Sequence, residues 1–138
     1  MQRWIKHISY NDGGRNATGL KPTHDGDCVV RALSILTGNG YMATRNALNE
    51  YIKRERGPNR SSVDNGVYER TYKKFLKAIG VTKLHPVDCW TKLPMQGKFM
   101  AVTTEHVVAY IDGVINDTLD PVSVRDCGPL VGYYEFDR

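Results

Sequence analysis

Residues 25–33 read Asp-Gly-Asp-Cys-Val-Val-Arg-Ala-Leu, a polar turn followed by an apolar run. The pattern predicts that Cys28 opens an amphipathic helix, and Gly38-Asn39-Gly40 predicts its end. A thiol in that position lies at the positive end of the helix dipole, where backbone N–H groups favour a thiolate and stabilise an oxyanion. Cys28 is therefore a candidate nucleophile. The alternative is a structural cysteine, since free cysteines often pack as small apolar residues.

The rest of the chain is predicted to contain two more helices and then a sheet. The helices span about 41–54 and 67–79, with apolar stripes formed by Tyr41, Leu48, Tyr51 and Ile52, and by Tyr68, Tyr72, Phe75, Leu76 and Ile79. After Gly80 the apolar pattern changes to the strand period, which predicts strands at 98–103, 106–111, 114–118 and 130–136. Residues 1–27 are predicted to be irregular. We expect a single α+β domain, 1–138, with N-terminal helices packed on a C-terminal antiparallel sheet.

Asp112-Gly113 predicts a two-residue turn between the second and third of these strands. In that register Asp117 is the diagonal neighbour of His106 on the same face, and Asn116 points to the other face. A longer or bulged turn would slip the register by one residue and exchange the two roles. The two-residue turn predicts Asp117 as the partner of His106.

Cys28, His106 and Asp117 then form a candidate triad. Asp117 accepts a hydrogen bond from one ring nitrogen of His106, and the other nitrogen takes the proton of the Cys28 thiol. An alternative stays open for two of these residues. His106 can be an ordinary residue at the start of a strand, and Asp117 can simply cap the end of a strand.

Composition places the chain among ordinary globular domains. Hydrophobic residues make up 41% and charged residues 25%, with a formal net charge of +4. No apolar run approaches the length of a membrane span, and the first twenty residues lack the apolar centre of a signal peptide, so a cytoplasmic protein without a membrane partner is expected. The cysteine count is odd, and Cys89 and Cys127 are predicted to be inert, a disulfide between them being the minor alternative.

No metal or cofactor is predicted. His24, Asp25 and Cys28 have metal-ligand chemistry, but a zinc site needs more ligands at suitable spacing. The basic cluster of Lys53, Arg54, Arg56 and Arg60 is predicted to be a solvated helix end, with a nucleic-acid surface as the weaker alternative.

A nucleophilic cysteine at a helix N-terminus, followed by a sheet that carries histidine and then Asp, resembles the papain-like cysteine peptidase superfamily. The Asp27-Cys28 pair is similar to the small bacterial cell-wall endopeptidases of that fold. Further stretches resemble a group of phage and bacterial proteins without an assigned function: Asn11–Arg15, Gly26–Ala32, Asn65–Tyr68, Ile111–Thr118 and Val131–Tyr133.

The resemblance implies a papain-like fold and a cysteine peptidase, or a related thiol hydrolase or acyl transferase, acting on a protein or peptide. For a phage-encoded protein, that substrate would be a host protein. Papain has a glutamine six residues before the nucleophile as an oxyanion donor, whereas this chain has Pro22. Thr23 and His24 are the predicted substitutes, and Asp27 is predicted to join them in binding the oxyanion or substrate. The alternative function is a non-catalytic papain-like protein that binds a host protein.

Overall fold

The N-terminal half of the described chain is largely helical. Residues 7–20, 26–118 and 129–136 are described by the computed structural model. Its three helices are α1 (Cys28–Thr37), α2 (Tyr41–Ile52) and α3 (Glu69–Ala78). Helix α1 has the predicted bounds. It ends because Gly38 adopts a left-handed conformation, with φ of 72°, and donates its N–H to the Ser34 carbonyl at 3.0 Å.

Helices α2 and α3 are shorter than predicted. The predicted stripe of α3 is buried at Tyr72, Phe75 and Leu76, as expected. Tyr68 and Ile79 lie just outside the helix and are exposed, so the prediction that they share its buried face is wrong. The helical period no longer orients these two side chains once the backbone leaves the helical conformation.

Six strands form one mixed sheet in the described part of the chain. They are β1 (His7–Tyr10), β2 (Leu84–Pro86), β3 (Lys98–Thr103), β4 (Val107–Ile111), β5 (Val114–Asp117) and β6 (Leu130–Phe136). Their spatial order is β1-β5-β4-β3-β6-β2. The α+β class is therefore confirmed, and the two outermost strands are the ones the sequence did not predict.

The prediction of a purely antiparallel sheet is wrong at one edge. Strand β1 pairs in parallel with β5, so that Ser9 lies opposite Asn116. The segment 1–27 accordingly contains a strand where irregular structure was predicted. Ile8 and Tyr10 are both exposed, so β1 shows no alternation of buried and polar residues that the sequence could reveal.

Both faces of the sheet carry apolar side chains. Residues of β3, β4 and β6 pack against all three helices, among them Met100, Val102, Val107, Ala109, Tyr134 and Phe136. The opposite face forms a separate cluster without helix residues: Leu93, Phe99, Ala101, Val108, Tyr110, Ile115 and Leu130. Helix α1 contacts β3, β4, β5 and α2, so it is the central helix of the domain. This position brings the first turn of α1 to the end of the β4–β5 hairpin.

Candidate active site

A cleft of about 620 Å³ opens beside the first turn of α1, a volume typical of ligand-binding sites. Cys28 lines it from α1, and His106 lines it from the turn that connects β3 to β4. Its apolar lining comes from Val29, Val67, Tyr72, Val102, Val107 and Val131. The structure thus brings the predicted nucleophile and the predicted base, distant in sequence, to one open site.

The hairpin has the predicted register. Ile111 lies opposite Val114, and Ala109 lies opposite Asn116, as a two-residue turn at Asp112-Gly113 requires. At the open end of the hairpin, His106 Nε2 lies 2.6 Å from Asp117 Oδ2. Asn116 instead accepts a hydrogen bond from Asn11 Nδ2 at 3.3 Å. The choice of Asp117 over Asn116 as the partner of His106 is confirmed as geometry.

Strand alternation alone does not explain the contact between His106 and Asp117. Alternation along a strand that included His106 would put Val108 and Tyr110 on its face, but they pack in the cluster that contains no helix residue. His106 precedes β4 and belongs to a turn in which Thr103 donates its N–H to the His106 carbonyl at 2.8 Å. Because His106 lies outside the regular strand, its side chain reaches the α1 side of the sheet, where Cys28 begins the helix.

The environment of His106 favours the imidazolium. Burial lowers the pKa of His106, but its hydrogen bonds with Asp117 and Cys28 and their charges outweigh burial and raise the pKa to about 9. His106 is 8% exposed, so these two partners dominate its surroundings. With Nε2 on Asp117, the other ring nitrogen, Nδ1, remains for the thiol. The His106 ring therefore lies between the Asp117 carboxylate and the Cys28 thiol.

Arg31 is a site residue that the sequence reasoning missed. It lies one helical turn after Cys28 and is 1% exposed. Its Nη2 is 3.3 Å from Asp117 Oδ1, and its Nη1 donates to Thr118 Oγ1 at 3.0 Å. Arginine is rarely buried unless it is paired, so an arginine within the apolar run that follows Cys28 was a usable signal. The sequence did not reveal that Arg31 pairs with Asp117, because Asp117 is distant in sequence.

Asp27 has a different place from the one predicted. It is 0% exposed, and its carboxylate accepts hydrogen bonds from Arg15 Nη1 at 3.0 and 3.1 Å and from the Tyr41 hydroxyl at 2.7 Å. Arg31 Nη1 lies 3.3 Å from the same carboxylate. These partners enclose the side chain, so binding of substrate or oxyanion by Asp27 does not fit its position. Asp27 is a buried residue whose hydrogen bonds and ion pairs hold the first turn of α1.

The motif Asn11–Arg15 forms a loop that docks on α1 and delivers Arg15 to Asp27. Asp12 Oδ1 accepts the Gly14 N–H at 3.0 Å, and Oδ2 accepts the Asn16 N–H at 2.8 Å. Gly13 approaches the helix so closely that its carbonyl accepts a hydrogen bond from Ser34 Oγ at 2.6 Å. The motif is therefore part of the frame behind the site.

We expect Gly13→Ala to lower the free energy of unfolding by about 3 kcal/mol, which chemical denaturation measures. A Cβ at Gly13 would lie 2.9 Å from the Arg31 carbonyl oxygen, and φ is +69°. Gly38→Ala is the matched control, because φ is +72° there but nothing lies within 4 Å. Equal losses in the two variants would contradict the close docking of the loop on α1.

A third buried carboxylate holds the segment 61–66, part of which lines the cleft. Glu55 accepts hydrogen bonds from the Ser61 N–H and from the Thr71 hydroxyl. Burial raises the pKa of Glu55, but these hydrogen bonds bring it below its usual value. The backbones of Ser62 and Gly66 hydrogen-bond each other at 2.9 and 2.8 Å. The segment 61–66 is thus fixed between α2 and α3.

Cys28 begins α1, where backbone N–H groups have no partner within the helix, so its N–H is the candidate oxyanion donor. Asp27 is the residue before α1, but its side chain does not cap the helix. Thr23 and His24, the predicted second donors, and Asp25 lie outside the described residues. Tyr72 also lines the cleft, although the sequence predicted it only as part of the apolar stripe of α3.

Cys89 is a free thiol outside the cleft. Its Sγ lies 3.0 Å from Thr91 Oγ1, and hydrogen bonds with Thr91 lower its pKa. Because Cys89 is a free and partly exposed thiol, the alkylation experiments below use variants in which it is replaced by serine. Cys127 lies outside the described residues.

Two residues of the basic cluster form hydrogen bonds at the end of α2, where a solvated helix end was predicted. Arg60 Nη2 donates to the Ile52 carbonyl at 3.1 Å and to the Lys53 carbonyl at 3.4 Å. Lys53 Nζ donates to Glu50 Oε2 at 2.9 Å. Cations at a helix C-terminus stabilise its unpaired carbonyl groups, so these contacts account for the positions of Lys53 and Arg60.

Stability should depend on pH through His106. The ordinary pKa of 6.5 is raised to about 9 in the folded protein, which corresponds to about 3 kcal/mol of unfolding free energy. Because the folded-state pKa is the higher one, this contribution is complete below about pH 6.5 and is lost as the pH rises through about 9. We expect the difference in unfolding free energy between the wild type and His106→Gln to shrink over that interval. A difference that is constant across the interval would contradict the raised pKa.

Among the described residues, no helix is long and apolar enough to cross a membrane, and no group of three metal-ligating side chains is present. No family model, curated protein or solved structure matches the chain.

Proposed function

We propose that this protein is a papain-like cysteine peptidase, or a related thiol hydrolase or acyl transferase. The observation that carries the proposal is the 2.6 Å contact between His106 Nε2 and Asp117 Oδ2, together with the position of Cys28 and His106 on the same cleft. A buried structural cysteine would need neither a histidine partner nor a carboxylate behind that histidine. The open cleft at Cys28 supports a protein or peptide as the substrate class.

In the proposed reaction, Cys28 Sγ attacks the carbonyl carbon of an amide or thioester. The Cys28 N–H donates to the oxyanion that forms. The His106 imidazolium then delivers its proton to the leaving amine or thiol as the carbon–nitrogen or carbon–sulfur bond breaks, leaving an acyl group on Sγ. Water, or an acceptor amine in a transferase, attacks this thioester while His106 takes the proton of the attacking group. The thiolate–imidazolium pair is thereby restored.

A nitrophenyl ester tests the nucleophile without knowledge of the natural substrate. In a Cys89→Ser, Cys127→Ser background, Cys28 should release one equivalent of nitrophenolate per protein in a burst and become acylated at Sγ. Mass spectrometry identifies the acylated residue. Loss of the burst in Cys28→Ala supports the proposal, and a burst that survives this substitution contradicts it.

The second candidate function is a non-catalytic papain-like protein that binds another protein, such as a host protein for a phage-encoded chain. The sequence observation in its favour is Pro22, at the position where papain has its oxyanion-donating glutamine. For this candidate, Cys28 should react with the ester no faster than an ordinary exposed thiol, and His106→Ala should leave its rate unchanged. The same measurement therefore separates the two functions.

A further inference from the structure

We propose that Arg31 is a positioning residue of the site, which fixes the Asp117 carboxylate so that only Oδ2 faces His106. The inference rests on the proposed function, because it concerns the preparation of the same histidine. Arg31 does not line the cleft and touches neither Cys28 nor His106 in the described contacts. Its effect on the thiol would pass through Asp117.

The two oxygens of Asp117 have separate partners. Oδ1 accepts the Thr118 N–H at 2.7 Å and lies 3.3 Å from Arg31 Nη2. Oδ2 lies 2.6 Å from His106 Nε2. A carboxylate at the end of a strand has a soft terminal torsion, and a hydrogen bond from the Thr118 N–H together with the ion pair to Arg31 restricts that freedom. The division of partners leaves Oδ2 directed at the imidazole.

Arg31 is itself held on its other side. Nη1 donates to Thr118 Oγ1 at 3.0 Å and lies 3.3 Å from Asp27 Oδ1. Asp27 is in turn fixed by Arg15 and Tyr41. Because Cys28 and Arg31 belong to the same first turn of α1, the helix that places the thiol also places the guanidinium. The position of Asp117 is therefore tied to that of Cys28.

The described residues place two carboxylates against two guanidinium groups behind the site. Asp27 and Asp117 are the carboxylates, and Arg15 and Arg31 carry the guanidinium groups. A buried charge is costly unless it is compensated, so Arg31 stabilises the Asp117 carboxylate in the place where it meets His106.

Arg31→Lys tests the role because it keeps the charge but removes the planar fork. A single ammonium group cannot reproduce the separate contacts of Nη1 and Nη2. We expect the titration midpoint of His106, followed by NMR and assigned with His106→Gln, to fall from about 9 by at least about one pH unit. Alkylation of Cys28 at neutral pH should fall by up to about tenfold, because a fall of one unit shifts the equilibrium from the thiolate–imidazolium pair towards the neutral pair by that factor. The matched control is Arg45→Lys, which alters a 2.6 Å ion pair with Asp64 away from the triad and should leave the midpoint unchanged.

A folded Arg31→Lys protein with an unchanged His106 midpoint would overturn the proposal, since replacement of an arginine that only stabilises the fold would leave this titration intact. If Arg31→Lys does not fold, Thr118→Val removes the hydroxyl that accepts from Nη1 and should shift the midpoint in the same direction by less. An unchanged midpoint in Thr118→Val then overturns the proposal. If the midpoint falls as expected but Cys28 of the wild type is unreactive, the positioning role stands and the proposed function fails.

Discussion

Replacing Asp117 with alanine should slow the alkylation of Cys28 at neutral pH by about tenfold, because each unit by which the pKa of His106 falls shifts the equilibrium between the thiolate–imidazolium pair and the neutral thiol–imidazole pair tenfold towards the neutral pair. Asp117 Oδ2 lies 2.6 Å from His106 Nε2 and is one of the two groups that raise the pKa of His106 to about 9. Without the carboxylate, burial favours the neutral imidazole, which does not stabilise a thiolate. The measurement is the rate of carboxamidomethylation by iodoacetamide in a Cys89→Ser, Cys127→Ser background.

Two variants control for effects on folding. Asn116→Ala removes a neighbouring side chain of the same strand whose hydrogen bonds go to Asn11 and to the Val114 carbonyl. It should leave the alkylation rate within about twofold. Asp117→Asn retains the shape of the side chain but removes its charge, and it should resemble Asp117→Ala in rate. A large loss in Asn116→Ala with none in Asp117→Ala would contradict the assigned partner of His106.

Removing the Asp27 carboxylate, which is buried just before α1, should strongly destabilise the fold. Asp27→Ala leaves Arg31 buried without one of its two carboxylates, and it also frees Arg15 and Tyr41 from their acceptor. Breaking one side of a buried ion pair costs about 3–5 kcal/mol. Chemical denaturation at neutral pH measures the loss, and the midpoint of thermal unfolding should fall in parallel.

Asp64→Ala is the matched control for this prediction. The Arg45–Asp64 ion pair is shorter than those of Asp27, at 2.6 Å, but the Asp64 side chain is 44% exposed, so its removal should cost at most about 1 kcal/mol. Similar losses for Asp27→Ala and Asp64→Ala would mean that the frame of Asp27 and Arg31 contributes no more than a surface pair. It would then be unable to hold Asp117 in place.

Local signals in the sequence were sufficient for the helix that carries the nucleophile and for the hairpin. Glycines at 26 and 38 bracket α1, and Asp112-Gly113 sets the register that pairs His106 with Asp117. These features are decided by residues close together in the chain. The site therefore followed from two local elements, although its assembly required the packing of α1 on β4 and β5.

Features that depend on distant partners could not be predicted. Strand β1 is a short edge strand with exposed Ile8 and Tyr10, and its pairing with β5 crosses most of the chain. Strand β2 contains Pro86 and has only 3 residues, so it carries no alternation. Asp27 next to Cys28 suggested a place in the site, but its partners Arg15 and Tyr41 fix it in the interior. Burial of a charge is decided by such partners, which local sequence does not reveal.

The most direct test of an activated thiol is the rate of Cys28 alkylation as a function of pH, from about 5 to about 10, in the wild type and in His106→Ala. Both proteins carry Cys89→Ser and Cys127→Ser. We predict that the wild-type rate is already high and nearly constant through the neutral range, and that it changes again near pH 9, where His106 loses its proton. His106→Ala should instead show a single rise near the ordinary thiol value of about 8.5. Two superimposable curves with that single midpoint would contradict the triad.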